Sequence, residues 1–303
     1  MAPPSHAVVV RSHNPTEAAL ARMASWARDL EGSGVALIIS LDMTTQSSTR
    51  RRLRASSSSR KRSREEDGVC RSRSPARLVH DAVAASVAAE VHVYDEAEMV
   101  EAYPALREVA KTRRIADTTE FKSKELSLAW GFHVEALNLW YQRRRTTKVD
   151  FVWKLEDDVG FSGSLLDLVR SFEDDGADLL TADVDHRPGP RWWWADAGTA
   201  EYYAAYGRAR ERLASREHAQ RFSRALLDRL HALSVDRGIT AWSEALPVVV
   251  CAAAEDLVLA KLPRSLLGDP FAHDGRVTER AWRDICEGRS ARKKGRLYHA
   301  LKF

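Results

Sequence analysis

Two apolar runs on either side of a helical stretch restrict the start of this chain to one local architecture. Ala7-Val8-Val9-Val10 is β-branched and suits a buried strand. Thr16 to Leu30 then places Leu20, Met23, Ala24 and Ala27 on one helical face, and Gly32-Ser33-Gly34 ends that helix. Val35 to Leu41 is a second apolar run, closed by Asp42. Strand, helix, strand in that order is a parallel βαβ unit, which gathers ligand-binding loops at the C-terminal ends of its strands. Arg11 and Asp42 stand directly after the two runs, placed either to meet a ligand or to face water.

A third apolar run, Asp150-Phe151-Val152-Trp153-Lys154-Leu155, stops in three adjacent carboxylates, Glu156-Asp157-Asp158. Side-by-side acids raise one another's pKa, so stability alone disfavours such a strand end. A divalent cation reverses that balance, because oxygen ligands on one strand edge suit Mg²⁺ or Mn²⁺. The competing reading is a solvated acidic turn.

With 303 residues, 44% apolar and 30% charged, the chain has ample length for one large α/β domain. The formal net charge of +4 is local in origin. Much of the basic excess lies between Arg50 and Arg77, within a 44–76 segment centred on Ser56-Ser57-Ser58-Ser59-Arg60-Lys61-Arg62-Ser63-Arg64. That composition cannot pack a core and reads as a disordered insertion, either a binder of RNA or acidic partners or a solvated loop. Cys70, Cys251 and Cys286 are too few and too scattered for a disulfide framework or a zinc site. No stretch approaches the roughly 20 apolar residues of a membrane span, and no signal-peptide pattern opens the chain, so it reads as soluble with its compartment open.

Downstream, helical character is expected at 78–89, a strand at Val91 to Tyr94, and a long amphipathic helix over 122–142 whose stripe includes His133, expected as a satisfied core histidine. Ser162-Gly163-Ser164 should cap a helix through Phe172, and 176–183 reads as a strand. Beyond Asp185 the alternation fades into aromatic clusters, among them Trp192, Trp193 and Trp194, before a helix expected over 222–233.

Together these features resemble a glycosyltransferase of the GT-A fold. The resemblance implies an α/β, Rossmann-like domain over 1–303, with a mainly parallel sheet, a nucleotide-sugar-binding half (1–185) and an acceptor-side half (186–303). Glu156-Asp157-Asp158 resembles that superfamily's acidic metal motif, and Leu297-Tyr298-His299 resembles the C-terminal histidine that completes its metal site. The resemblance implies Asp158 and His299 as ligands of Mn²⁺ or Mg²⁺, with Glu156 and Asp157 binding the cation through water or touching the donor. The donor is a UDP- or GDP-sugar meeting Arg11, Asp42 and the Lys122 and Lys124 region, and the acceptor is a hydroxyl of a glycan, protein or small molecule. An inverting transfer needs a carboxylate to take the acceptor proton. Glu244, after Trp242-Ser243, is the candidate, with Glu255 and Asp256 as rivals that otherwise read as a helix N-terminal pair. A Golgi-lumen location is compatible with the resemblance if an anchor precedes the chain. Two other readings remain: a nucleotidyltransferase or phosphoesterase, which would draw Asp183 and Asp185 toward a second metal, and an RNA-associated protein acting through the arginine-serine segment.

Overall fold

The β-branched runs form the centre of a seven-stranded sheet. The structure, a computed structural model, describes residues 4–13, 15–44, 89–112, 128–144, 149–186, 198–207, 213–269, 271, 276–301 and 303. The arginine-serine segment beyond Thr44, all but the last residue of the helix expected at 78–89, Cys70, Lys122, Lys124, Trp192 to Trp194 and the side chain of Asp185 lie outside the described residues.

β1 (His6–Ser12), α1 (Glu17–Leu30) and β2 (Ala36–Asp42) form the expected unit, with Thr16 capping α1 through its side chain. β3 (Glu90–Tyr94) is followed by α2 (Glu96–Ala102) and α3 (Leu106–Thr112). The long helix expected over 122–142 appears, where described, as two pieces, α4 (Leu128–Gly131) and α5 (His133–Arg143), broken at Phe132. β4 (Phe151–Glu156), β5 (Gly160–Phe161), α6 (Leu165–Arg170) and β6 (Leu179–Thr181) follow. Next come β7 (Asp185–His186), α7 (Ala200–Tyr206), β8 (Leu213–Ala214), β9 (Ala219–Ser223) and α8 (Arg224–Arg237). α9 (Leu246–Ala253), β10 (Leu259–Lys261), α10 (Glu279–Cys286) and β11 (Leu297–Tyr298) complete the chain. No described helix is long and apolar enough to cross a membrane.

The sheet runs β10-β6-β9-β4-β1-β2-β3. β1 pairs in parallel with β2 and β4, β2 with β3, and β10 with β6, whereas β9 lies antiparallel between β4 and β6. Alternate side chains enter opposite cores, as a sheet covered on both faces requires. Val8, Val10, Trp153 and Leu155 pack with α1 and α6, and Ala7, Val9, Val152 and Phe222 pack with α5, α8 and α9.

Two expectations are corrected. Phe222 and Ser223 close β9 rather than open a helix, because Phe222 and Arg221 enter opposite faces of the sheet; α8 begins at Arg224 with Ser223 as its cap. Glu255 and Asp256 follow the end of α9, so they do not offset a helix N-terminus.

Arg221 ties β9 to the turn between α6 and β6. Its buried guanidinium donates to the carbonyls of Phe172, Asp175 and Ala177 at 2.8, 2.7 and 2.9 Å, pairs with the Asp175 carboxylate at 2.8 Å, and lies 4.2 Å over the Phe151 ring. Arg221→Leu strands those acceptors and is expected to cost on the order of 3 kcal/mol, read as a lower urea midpoint at unchanged m. A loss below about 1 kcal/mol would show that the turn is held by other contacts.

Candidate functional site

The acidic end of β4 meets two chain segments that arrive from far away in sequence. Because β9 runs antiparallel to β4, its lead-in residues Glu217 and His218 reach the edge where β4 ends, and the Glu156 N–H donates to the His218 carbonyl at 3.1 Å. β11 pairs antiparallel with β5, Leu297 opposite Phe161 and Tyr298 opposite Gly160, and carries His299 to the same edge. The Leu301 N–H donates to the Asp158 carbonyl at 2.8 Å. Gly160 permits this approach, since a Cβ there would stand 2.3 Å from the Leu301 side chain.

Glu156, His218 and His299 each offer a metal-ligand atom, all within 4.8 Å of one another. His218 Nδ1 is 2.7 Å from Glu156 Oε2, and the two imidazoles stack with centroids 3.6 Å apart at 13°. Asp158 Oδ1 is 3.4 Å from His299 Nε2. Burial would push the Glu156 carboxyl up, yet His218, Lys154 and Arg11 hold it well below the ordinary range. Asp157 turns away: the Ser12 hydroxyl donates to its carboxylate and Arg22 Nη2 donates to its carbonyl at 2.5 Å. Burial, and then repulsion from Asp158 and Glu156, push its carboxyl up against the pull of that hydroxyl.

Behind Glu156 lies a buried charged layer. Arg11 Nη1 is 3.7 Å from Glu156 Oε1 and 3.0 Å from His133 Nδ1. His133 Nε2 is 2.5 Å from Glu217 Oε2 and 3.2 Å from Lys154 Nζ, which also donates to the Glu217 carbonyl. Burial pushes His133 down to about 4, helped by Lys154 and Arg11 and opposed by Glu217. His133 is thus a core histidine, but one that links charges rather than apolar neighbours. Asp42 is buried at the end of β2, where its carboxylate accepts from the Thr44 N–H at 2.9 Å and from the Thr44 hydroxyl. With burial as the larger cause, Asp42 also raises the pKa of Tyr94.

Glu244 lies within electrostatic reach of this group. Burial, followed by repulsion from Glu217 and Glu156, raises its pKa well above the ordinary carboxylate value, and its buried Oε2 has no hydrogen-bond partner among the described residues. The preceding turn is docked into the break between α4 and α5. The Ser243 N–H donates to the Gly131 carbonyl at 2.9 Å, the Val134 N–H donates to Ser243 Oγ at 3.1 Å, and the Trp242 ring occupies the space a Gly131 Cβ would need. Trp242 is therefore a packing residue, in edge contact with Trp130 and Phe132.

Of the residues expected from sequence, the structure brings Arg11, Glu156, Asp158 and His299 together, with Glu244 and Asp42 at the margins. Asp256 is not brought there: its exposed carboxylate is held bidentately by Arg229 at 2.9 and 2.7 Å. Asp183 accepts from the Arg216 N–H at 2.9 Å and lies outside the metal-capable group of the described residues. His218, Glu217 and Lys154 were missed. The only signal was Glu217-His218 ahead of Ala219 to Ser223, a run whose polar residues hide a strand buried on both faces.

One carboxylate and two imidazoles, with a second carboxylate alongside, can hold a divalent cation, and the nitrogen donors favour Mn²⁺ over Mg²⁺. No family model matches the chain, and no curated protein matches its sequence. Structurally the chain is similar to mouse xyloside xylosyltransferase 1 in its apo form, at 11% identity and TM-score 0.42, covering 98% of this chain and 97% of that one. It is similar to glucosyl-3-phosphoglycerate synthase from Mycobacterium tuberculosis in complex with Mn²⁺, UDP and phosphoglyceric acid, at 14% identity and TM-score 0.37, over 85% and 68%. It is also similar to core-mannan synthase A from Aspergillus fumigatus in a Mn/GDP form, at 11% and 0.38, over 85% and 72%.

The arm carrying Ser243 and Glu244 is anchored by a buried acid. Glu135 in α5 accepts from the Thr240 hydroxyl, and burial pushes its carboxyl up to about 7 from the usual 4.5. Between those values the folded state holds the proton that the unfolded chain has released. Stability from this group is therefore full below pH 4.5 and lost as pH rises through 7. Glu135→Gln removes that loss. The unfolding free energy of the variant, relative to the parent, is expected to rise by about 2–3 kcal/mol between the two pH values, read by urea unfolding at stepped pH. A flat difference would mean that Glu135 titrates normally.

Proposed function

We propose that this protein is a metal-dependent glycosyltransferase that moves a sugar from a nucleotide-diphospho-sugar to an acceptor hydroxyl. The observation that carries this reading is the Glu156, His218 and His299 group at the C-terminal end of β4, with Asp158 against His299. Open α/β sheets bind ligands at this edge. When bound there, Mn²⁺ supplies Lewis-acid stabilisation of a diphosphate leaving group.

The chain's own residues would divide the remaining work. Arg11 lies 3.7 Å from the second oxygen of Glu156 and adds to the pull of His218 and Lys154 that keeps the carboxylate ionised and ready to ligate. Asp42 closes the β2 end of the donor site, in reach of a ribose or base. Asp157 braces β4 against β1 rather than facing the donor. Glu244 takes the proton of the attacking hydroxyl. Burial, with repulsion from Glu217 and Glu156, makes it a stronger base than a solvated glutamate. The 1–185 half would then hold the donor, and the acceptor would approach from the 186–303 half, where Glu244 stands.

Thermal unfolding with Mn²⁺ and a panel of UDP- and GDP-sugars tests the reading. The matching pair is expected to stabilise the protein by about 2.7 kcal/mol at a hundredfold excess over Kd, and Glu156→Ala or His299→Ala should abolish the Mn²⁺-dependent part. Equal stabilisation of those variants, or none of the parent by any sugar nucleotide, would refute it. For the proton transfer, Glu244→Gln is expected to lower kcat by about 10²–10⁴-fold with little change in donor KM. A kcat within about tenfold of the parent would remove Glu244 from the mechanism.

A further inference from the structure

We propose that Lys154 is a positioning residue that sets His218 in metal-binding register, an inference that rests on the metal reading above. Lys154 and Glu156 lie two residues apart on β4 and so share a face of the sheet. Lys154 is 1% exposed, on the side of the sheet where Val152 meets α5. A lysine at this depth is costly unless its charge and its donors are met. Its ammonium donates to the Glu217 carbonyl, lies 3.2 Å from His133 Nε2, and feels the Glu217 and Glu156 carboxylates most strongly among its neighbours' charges.

That contact is one of a series that fixes the bend leading into β9. The Ser215 N–H donates to the Glu244 carbonyl at 2.8 Å, and Ser215 Oγ accepts from Gln220 Nε2 at 3.1 Å. The Arg216 N–H is held by Asp183, and the Arg216 carbonyl accepts from the Thr181 hydroxyl at 3.3 Å. Lys154 holds Glu217, the last residue before His218, and the His218 carbonyl then accepts from the Glu156 N–H. Glu217 also faces the negative charges of Glu156 and Glu244. Without the ammonium the Glu217 carboxylate is left to His133 against that repulsion, and the adjoining peptide loses its anchor. His218 then leaves its place 2.7 Å from Glu156 and 3.6 Å over the His299 ring. Supports of this kind behind a ligand typically change metal affinity by about 10–100-fold.

The test is a titration of the full chain with Mn²⁺ alone, followed by the free-ion electron paramagnetic resonance signal, with folding checked by circular dichroism. Lys154→Met, close in shape but uncharged, is expected to weaken Mn²⁺ binding about 10–100-fold, as is His218→Ala. The double variant should bind no more weakly than His218→Ala, because one substitution acts through the other. With Co²⁺ in place of Mn²⁺, Lys154→Met should reproduce the visible-spectrum change of His218→Ala, a signature that general loosening would not give. Affinity of Lys154→Met within about twofold of the parent, or additive losses in the double variant, overturns the proposal. Should Lys154→Met fail to fold, Lys154→Gln removes the same ammonium behind a shorter polar side chain; severalfold weaker Mn²⁺ binding, non-additive with His218→Ala, is expected, and unchanged affinity overturns the proposal. A parent that binds no Mn²⁺ refutes the metal reading itself, and this inference with it. A parent that binds while Lys154→Met binds equally refutes the inference alone.

Discussion

The site depends on a single antiparallel strand, β9, inside an otherwise parallel sheet. A parallel strand beside β4 would start at the far edge and bring only its last residues to the acids. β9 runs the other way, so Ala219 sits opposite Leu155, and the residues just before β9 reach the end of β4. The direction of one strand thus decides which side chains face Glu156.

The pairing also creates an electrostatic problem and part of its solution. Glu217 arrives near Glu156 and Glu244, three carboxylates withdrawn from bulk water. Coulomb repulsion at such distances is too strong for all to ionise unaided. Lys154, buried, and Arg11, partly buried, supply the interior positive charge, and His133 joins them to Glu217 and to each other. What they leave uneven is the outer side of Glu156, where His218, His299 and Asp158 stand together. A divalent cation would complete the balance there without a further basic residue. Burial, with the same imbalance, leaves Glu244 with an elevated proton affinity and an oxygen that has no hydrogen-bond partner among the described residues.

The far end of the chain is fixed by backbone rather than charge. Two residue pairs between β5 and β11, the Ser162 N–H donating to the Arg296 carbonyl at 3.0 Å, and the Leu301 contact to Asp158 place His299 on the outer side of the acids. Phe271 lies near both imidazole rings, 6.2 Å from His218 and 6.1 Å from His299, and covers the stacked pair.

Glu244 and His299 were marked only by the family resemblance, whereas the chain's sequence by itself determined the βαβ start, the strand ending in acids, and the interest of Arg11 and Asp42. These rest on local periodicity and on residue types whose cost at a strand end is visible without neighbours. It did not disclose β9, because Ala219-Gln220-Arg221-Phe222-Ser223 carries polar side chains at buried positions and their partners lie in other elements. It could not separate the adjacent acids by role, nor Glu244 from Asp256, since only packing turns Asp157 toward Ser12 and gives Asp256 to Arg229. Strand direction, and the burial that follows from it, are properties of pairings between distant segments. Tertiary structure alone therefore decided that His218 joins the site, and that a lysine in the core stands behind it.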